Sequence, residues 1–240
     1  MVKGIIFDKD GTLLDMDAYW LPVAEWAYKQ ILKEIGREDI PLEEIYLATG
    51  VVNGNAEISG SLCCGTYGQL GGDIYSVLAR HGANITEQET VDLTVKYFHD
   101  GGAKGKMKPT SPSLKSALEF LKQQGVKLAV ATADDKFVTQ KCLDALGISE
   151  FFDEIFADDG VSPPKPDPYY ADTFRAKYGL EREETLMVGD TFNDANFAYN
   201  AKIPFVGIAT NERNRALLKD RAPIMIADIQ ELLGVLGYEI

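Results

Sequence analysis

Two kinds of apolar spacing divide this chain. Near its start, Ile5-Ile6-Phe7 is a short continuous apolar run, which predicts a strand buried on both faces. From about residue 24 to 36 the spacing turns helical, with Trp26, Ala27, Ile31, Leu32 and Ile35 on one side. Pro41 opens a short helix through Leu47, and a glycine-rich stretch over 50–72 follows without Lys, Arg or His. Helical spacing resumes over 74–79 and 86–98, and Lys104-Gly-Lys106-Met-Lys108-Pro109 reads as a flexible basic return linker. Residues 16–105 are therefore expected to be all-helical, without β-strands.

After Pro109 the pattern changes. Ser111-Pro112 predicts a helix start, with Ser as N-cap and Pro at the first helical position, and Gly125 ends that helix. Val126–Ala131 is a buried strand, followed by a helix over 135–146. A strand near 155–156, a helix over 168–178, a strand over 185–188 and a helix over 192–201 come next. A strand over 204–208, a helix over 212–219 and a strand near 224–226 complete the run. Strands alternating with helices predict a parallel sheet covered on both faces. The Ile5–Phe7 strand must join it, since a lone strand cannot stand. The expected fold is α/β: a Rossmann-like core from 1–15 and 106–240, with 16–105 inserted as a helical lid over the first strand's carboxyl end.

Composition narrows the function. A chain of 240 residues with 45% apolar content suits one large domain or two modest ones with a real core. A net charge of −13 argues against nucleic-acid and anionic-membrane surfaces. Cys63, Cys64 and Cys142 give no disulfide framework and no zinc-like spacing, so small buried thiols are expected. No run reaches transmembrane length and no signal-peptide pattern opens the chain, which points to a cytoplasmic setting. The expected assembly is a monomer or weak dimer.

The chemistry collects at strand ends. The first strand stops at Asp8-Lys-Asp10-Gly11-Thr12. In open α/β sheets ligands bind at the carboxyl ends of strands, and two close carboxylates call for a cation or proton between them, such as Mg²⁺. The same tripeptide before glycine also fits a plain turn. Thr132 follows the second strand, where a hydroxyl and free N–H groups suit a phosphate, although a strand ending in a small polar residue explains it too. Lys165 sits in Ser162-Pro-Pro-Lys-Pro-Asp-Pro168, where four of the ten prolines restrict its loop. The alternative there is a stiff surface loop with a solvated lysine. Asp190 ends another strand, and Asp194 lies one helical turn on, so both carboxylates can face one point. Helix capping accounts for one of these two acids; a metal site shared with Asp8 and Asp10 accounts for both.

These four motifs, in this order, resemble the haloacid dehalogenase superfamily of phosphohydrolases. Asp8-Lys-Asp10-Gly-Thr is similar to its first motif, Thr132 to its second, Lys165 to its third and Gly189-Asp190-Thr-x-x-Asp194 to its fourth. The helical insertion resembles that family's C1 cap. The resemblance implies that Asp8 attacks phosphorus and that Asp10 protonates the leaving oxygen and then activates water. It implies Mg²⁺ held by Asp8, Asp190 and the backbone carbonyl of Asp10, with Asp194 an outer ligand. It places Thr132 and Lys165 on the phosphoryl oxygens and adds Gly11 and Ala133 as substrate contacts. Two residues depart from the pattern: Lys9 stands where an apolar residue is commoner, and Asp134 where a neutral one is. Capping of helix 135–146 is the plain role for Asp134.

Asp10 argues against the dehalogenase branch. The absence of basic residues over 38–79 favours hydrolysis of a small phosphorylated metabolite, phosphoglycolate phosphatase-like, over a phosphomutase. A non-catalytic binding protein on the same fold is the third possibility, and it would be expected to have lost a motif residue. Trp20 and Asn55 are the leading substrate contacts in the cap, with Tyr19, Asn53 and Tyr67 beside them; aromatic packing is the alternative. The Gly- and Ser-rich stretch 59–68 is a candidate specificity loop, and the linkers near 15–17 and 101–109 are candidate hinges.

Overall fold

The computed structural model describes residues 1–209, 215–216 and 218–238. The chain forms two compact units: Met1–Asp15 with Lys108–Ile240, and Met16–Met107. Strand β1 (Gly4–Phe7) opens the first of these, fully buried along its length.

The inserted unit begins with helix α1 (Met16–Glu34), which buries Tyr19, Trp20, Val23, Ala27, Tyr28 and Ile31 on one stripe. Pro22 lies inside it and has no N–H for the Ala18 carbonyl one turn back; the Lys106 N–H donates to that carbonyl instead, at 3.0 Å. Helix α2 (Leu42–Ala48) follows. Strands β2 (Val51–Val52) and β3 (Asn55–Ala56) then pair antiparallel. This hairpin corrects the all-helical expectation. Asn53 (φ 52°) and Gly54 (φ 75°) both adopt the left-handed backbone of a two-residue type I′ turn, which suits Asn-Gly. Helices α3 (Ser61–Cys64), α4 (Tyr67–Arg80) and α5 (Glu87–Gly101) complete the unit. The last two open on full capping boxes, Thr66 with Gln69 and Thr86 with Glu89. Phe98 on α5 centres the core, its ring 5.9 Å from those of Trp20, Tyr28 and Tyr67. Of the three thiols, Cys142 is buried as expected, whereas Cys63 and Cys64 are only half-buried.

The chain returns through helix α6 (Leu114–Gln123) and strand β4 (Lys127–Asp135). Helix α7 (Lys136–Leu146), β5 (Glu154–Asp158), α8 (Tyr169–Tyr178), β6 (Thr185–Gly189) and α9 (Phe192–Ala201) follow. Strands β7 (Phe205–Ile208) and β8 (Ile224–Ile226) and helix α10 (Glu231–Val235) end the described chain. Residues 212–214 and 217 of the helix expected over 212–219 lie outside the described residues. The expected start of α6 is corrected. Its N-cap is Ser113, because Ser111 and Ser113 both give their hydroxyls to Asp228, at 2.6 and 2.8 Å.

The six strands form one parallel sheet in the order β5-β4-β1-β6-β7-β8. Alternate residues feed two cores. Ile5, Phe7, Leu128, Val130, Leu186 and Val188 pack on one face, with Leu114, Leu118 and Leu121 of α6. Ile6, Ala129, Ala131 and Met187 pack on the other, with Phe174 of α8 and Phe197 and Ala198 of α9. Burial on both faces explains why these strands read as unbroken apolar runs.

Candidate active site

Strand order reverses at β1: the chain builds β4 and β5 to one side, then crosses to β6, β7 and β8 on the other. Such a switch point leaves a crevice at the carboxyl ends of the central strands. Phe7 stands in register with Val130 and with Val188, so Asp8, Ala131 and Gly189 form the next rung. Asp8 keeps the ladder with its N–H on the Val188 carbonyl at 2.9 Å. Thr132 and Asp190 come one residue later on the flanking strands.

The loop after β1 turns at once. The N–H groups of Leu13 and Leu14 both donate to the Lys9 carbonyl, and the Gly11 N–H donates to the Leu14 carbonyl at 2.7 Å. Gly11 has φ +80°, and a Cβ there would lie 2.0 Å from Asp190 Oδ2. Glycine is thus required both by the turn and by the carboxylate lying against it. Gly189 is tight for the same reason, since its Cβ would fall 2.4 Å from Asp194 Cγ.

Lys165 stands at the centre. Its Nζ donates to Asp8 Oδ1 at 2.5 Å and to Asp194 Oδ1 at 2.6 Å, and its side chain is 3% exposed. Helix α9 pins the lysine loop: Asn193 Nδ2 donates to the Lys165 carbonyl and Asn200 Nδ2 to the Pro166 carbonyl. Asp194 divides its two oxygens. One serves Lys165; the other accepts from the hydroxyl and N–H of Thr191, closing the capping box that starts α9. Capping and site-building are thus both done by Asp194. Asp190 accepts weakly from the Thr12 hydroxyl, at 3.3 Å.

Oxygens of Asp8, Asp190 and Asp194 lie within 4.8 Å of one another, and all three residues are buried. Burial pushes the Asp8 carboxyl up to about 7; Lys165 opposes this, and Asp194 and Asp10 add to it. Burial, then Asp8 and Asp194, raise Asp190 well above the usual carboxylate range. Burial disfavours the Lys165 ammonium, yet Asp194 and Asp8 outweigh it and hold the lysine charged. One ammonium for three carboxylates leaves the cluster short of positive charge. An all-oxygen, over-charged donor set of this kind fits a hard divalent cation.

Asp10 is placed differently from its neighbours. Its carboxylate is gripped by Lys9 Nζ, at 2.7 Å to Oδ1 and 2.6 Å to Oδ2, and the metal-like grouping among the described residues is Asp8, Asp190 and Asp194. Lys9 is fully buried, and its other ion pair is to Asp134 Oδ2 at 2.9 Å. Asp134 therefore does not cap α7. Asp135 does, accepting from the Val138 N–H at 2.9 Å. Burial pushes Asp134 up to about 7, with Lys9 opposing. Thr132 is buried and its hydroxyl accepts from the Asp134 N–H at 3.2 Å, with half-buried Ala133 between them. Sequence reading had singled out Lys9 and Asp134 separately. The missing signal was their opposite charge on the ends of two paired strands.

In the inserted unit Trp20 is 3% exposed, its ring edge-on to Tyr19 and tilted against Phe98. Its ring packs within the core of that unit. Tyr19 is buried in the same way. Tyr67 is half-buried against Phe98 and His99. Asn55 is exposed, and its amide donates to the Asn53 carbonyl within the hairpin. Asn53 lines an open cavity of about 650 Å³ within the unit, together with Leu21, Pro22, Tyr46, Leu47 and Val52.

The fold and this cluster of aspartates around a lysine define a hydrolase class. The chain belongs to the haloacid dehalogenase-like hydrolase family, whose family model matches residues 2–202. It is 27% identical over 237 residues to a phosphoglycolate phosphatase of Aliivibrio fischeri, covering 98% of this chain and 97% of that one. In structure it is similar to a predicted phosphoglycolate phosphatase from Haemophilus somnus 129pt, with TM-score 0.74, 24% identity and 98% of each chain covered. It is also similar in fold to the HAD-hydrolase YfnB from Bacillus subtilis bound to magnesium, with TM-score 0.66, 17% identity and coverage of 98% and 99%. No helix among the described residues is long and apolar enough to cross a membrane.

Proposed function

We propose that this protein is a Mg²⁺-dependent phosphomonoester hydrolase acting on a small phosphorylated metabolite, of the phosphoglycolate phosphatase-like kind. The observation that carries the reading is Lys165, buried and clasped between Asp8 and Asp194 beside Asp190. The likeness to a phosphoglycolate phosphatase along nearly the whole chain supports the substrate class.

Asp8 is the nucleophile. Its oxygen forms a bond to phosphorus as the ester oxygen leaves, giving an aspartyl-phosphate. Asp10, held off the cluster by Lys9, gives its proton to the departing oxygen and then takes one from the water that cleaves the acyl phosphate. Lys165 and Thr132 stabilise charge on the transferring oxygens. Asp8 and Asp190, with the Asp10 backbone carbonyl, would hold the magnesium, and Asp194 keeps Lys165 in place. A cation held there would supply positive charge against both the phosphoryl group and the acidic cluster. The inserted unit is the counterpart of the C1 cap.

A panel of phosphoglycolate, sugar phosphates and nucleotides, assayed for phosphate release with magnesium and with chelator, tests the reading. Hydrolysis of at least one small ester, abolished by chelation, is expected. Phosphate transfer to a sugar phosphate in place of water, or no metal-dependent release at all, would overturn it.

A further inference from the structure

Lys9 and Asp134 form a buried ion pair, and no chemical step has been assigned to Asp134. The lysine is wholly enclosed, and both carboxylates it touches lie at strand ends: Asp10 after β1 and Asp134 near the end of β4. Burying a lysine with two acids gives little net stability, because desolvation offsets the attraction. What such a group supplies is geometry. Lys9 reaches both oxygens of the residue next to it, which fixes the plane of the Asp10 carboxylate. The grouping suited to a metal among the described residues, Asp8, Asp190 and Asp194, does not include that carboxylate. Asp134 holds the ammonium from a second strand at 2.9 Å, so Lys9 is gripped from the ends of two paired strands.

We propose that Lys9 and Asp134 are positioning residues for Asp10, setting its carboxyl where it hands a proton to the departing ester oxygen. The inference rests on the phosphatase reading above. In that step Asp10 enters as the neutral acid, having taken its proton from solvent; the Asp8–phosphorus bond forms, the phosphorus–oxygen bond breaks, the proton moves from Asp10 to the alcohol that leaves, and Asp10 is left as the carboxylate that Lys9 grips. An alkyl alcohol needs that proton; p-nitrophenolate leaves as a stable anion without it. Mispositioning Asp10 therefore slows alkyl esters selectively, whereas general damage to the fold slows both alike.

The test compares kcat/KM for glycerol 2-phosphate and p-nitrophenyl phosphate, a ratio that reports steps up to leaving-group departure and excludes breakdown of the acyl phosphate. Lys9→Met is expected to lower the alkyl value about 100-fold, within the range of general acid catalysis, and the aryl value only a few-fold, about 3. Asp134→Asn, which lets Lys9 fold onto Asp10 alone, is expected to lose about 10-fold on the alkyl ester only. The double variant Lys9→Met/Asp134→Asn removes both charges, leaves no unpaired buried acid at position 134, and keeps the test open if Lys9→Met folds poorly. Persistence of the alkyl-selective loss in the double variant supports the proposal. Equal losses on both esters, or full recovery in the double variant, overturn it. Asp10→Asn separates this result from the reading beneath it. If Asp10→Asn itself shows no leaving-group selectivity, the proton-donor role fails; if it does and Lys9→Met does not, only the positioning inference fails.

Discussion

Lys165 Nζ stands 2.5 Å from Asp8 Oδ1, and that contact joins the proline-bound loop before α8 to the end of the first strand. The lysine is the ammonium that offsets Asp8, Asp190 and Asp194, all of them buried. Lys165→Met should therefore cost stability as well as activity. Removing one partner of a buried ion pair costs about 3–5 kcal/mol, and magnesium should recover part of it by neutralising the same acids. Thermal unfolding with and without magnesium measures this, and kcat/KM should fall about 100- to 1,000-fold. A variant with unchanged melting in chelator would contradict the charge balance described here.

Magnesium binding should depend on pH in a defined direction. The Asp8 carboxyl is raised from 3.8 to about 7 in the folded protein, and Asp190 is raised also. The native state thus holds protons more tightly than the unfolded chain. The stability this gives is present at low pH and is lost as pH rises through about 7. The cation takes the place of those protons. The magnesium-induced rise in Tm is expected to be small near about pH 5 and to grow as pH rises through about 7. A rise that is flat across that range would count against the cluster as the binding site.

Gly11→Ala should weaken the site without removing a titratable group. The added Cβ meets Asp190 Oδ2 at 2.0 Å on a backbone at φ +80°. Displacing Asp190 should weaken magnesium about 10- to 100-fold, as loss of a supporting contact to a metal ligand does. Titrating activity with magnesium gives the shift directly.

Two glycines of the inserted unit should respond with opposite sign. Gly54 has φ +75° and open space around it, so Gly54→Ala pays only backbone strain, about 1–2 kcal/mol. Gly68 lies in α4, where a Cβ makes only an ordinary contact with Thr66 at 3.7 Å, so Gly68→Ala should stabilise by about 0.5–1 kcal/mol. Denaturant unfolding of the two variants checks both.

The parallel sheet was legible because its central strands are apolar on both faces and alternate with segments of helical spacing. Asp8, Thr132 and Asp190 stood out at strand ends, and the resemblance to the four family motifs tied Lys165, in a loop, and Asp194, on a helix, to them. The hairpin at Val51–Ala56 was missed: Asn53-Gly54 is a strong turn signal, but the flanking strands are two residues each, too short for alternation to show. Sequence does not place Trp20, because its burial is set by Phe98, far along the chain. The Lys9–Asp134 pair depends on strand register, which no local pattern carries.

Phosphate release by Asp8→Asn, measured beside the wild-type protein with magnesium on the best ester of the panel, tests the central claim most directly. Asparagine keeps the shape of the side chain and a hydrogen-bond acceptor for Lys165, but cannot form the acyl phosphate. The wild-type protein should turn over and the variant should release no phosphate above background. Robust release by Asp8→Asn would contradict the assignment of Asp8 as nucleophile, and with it the account of the site.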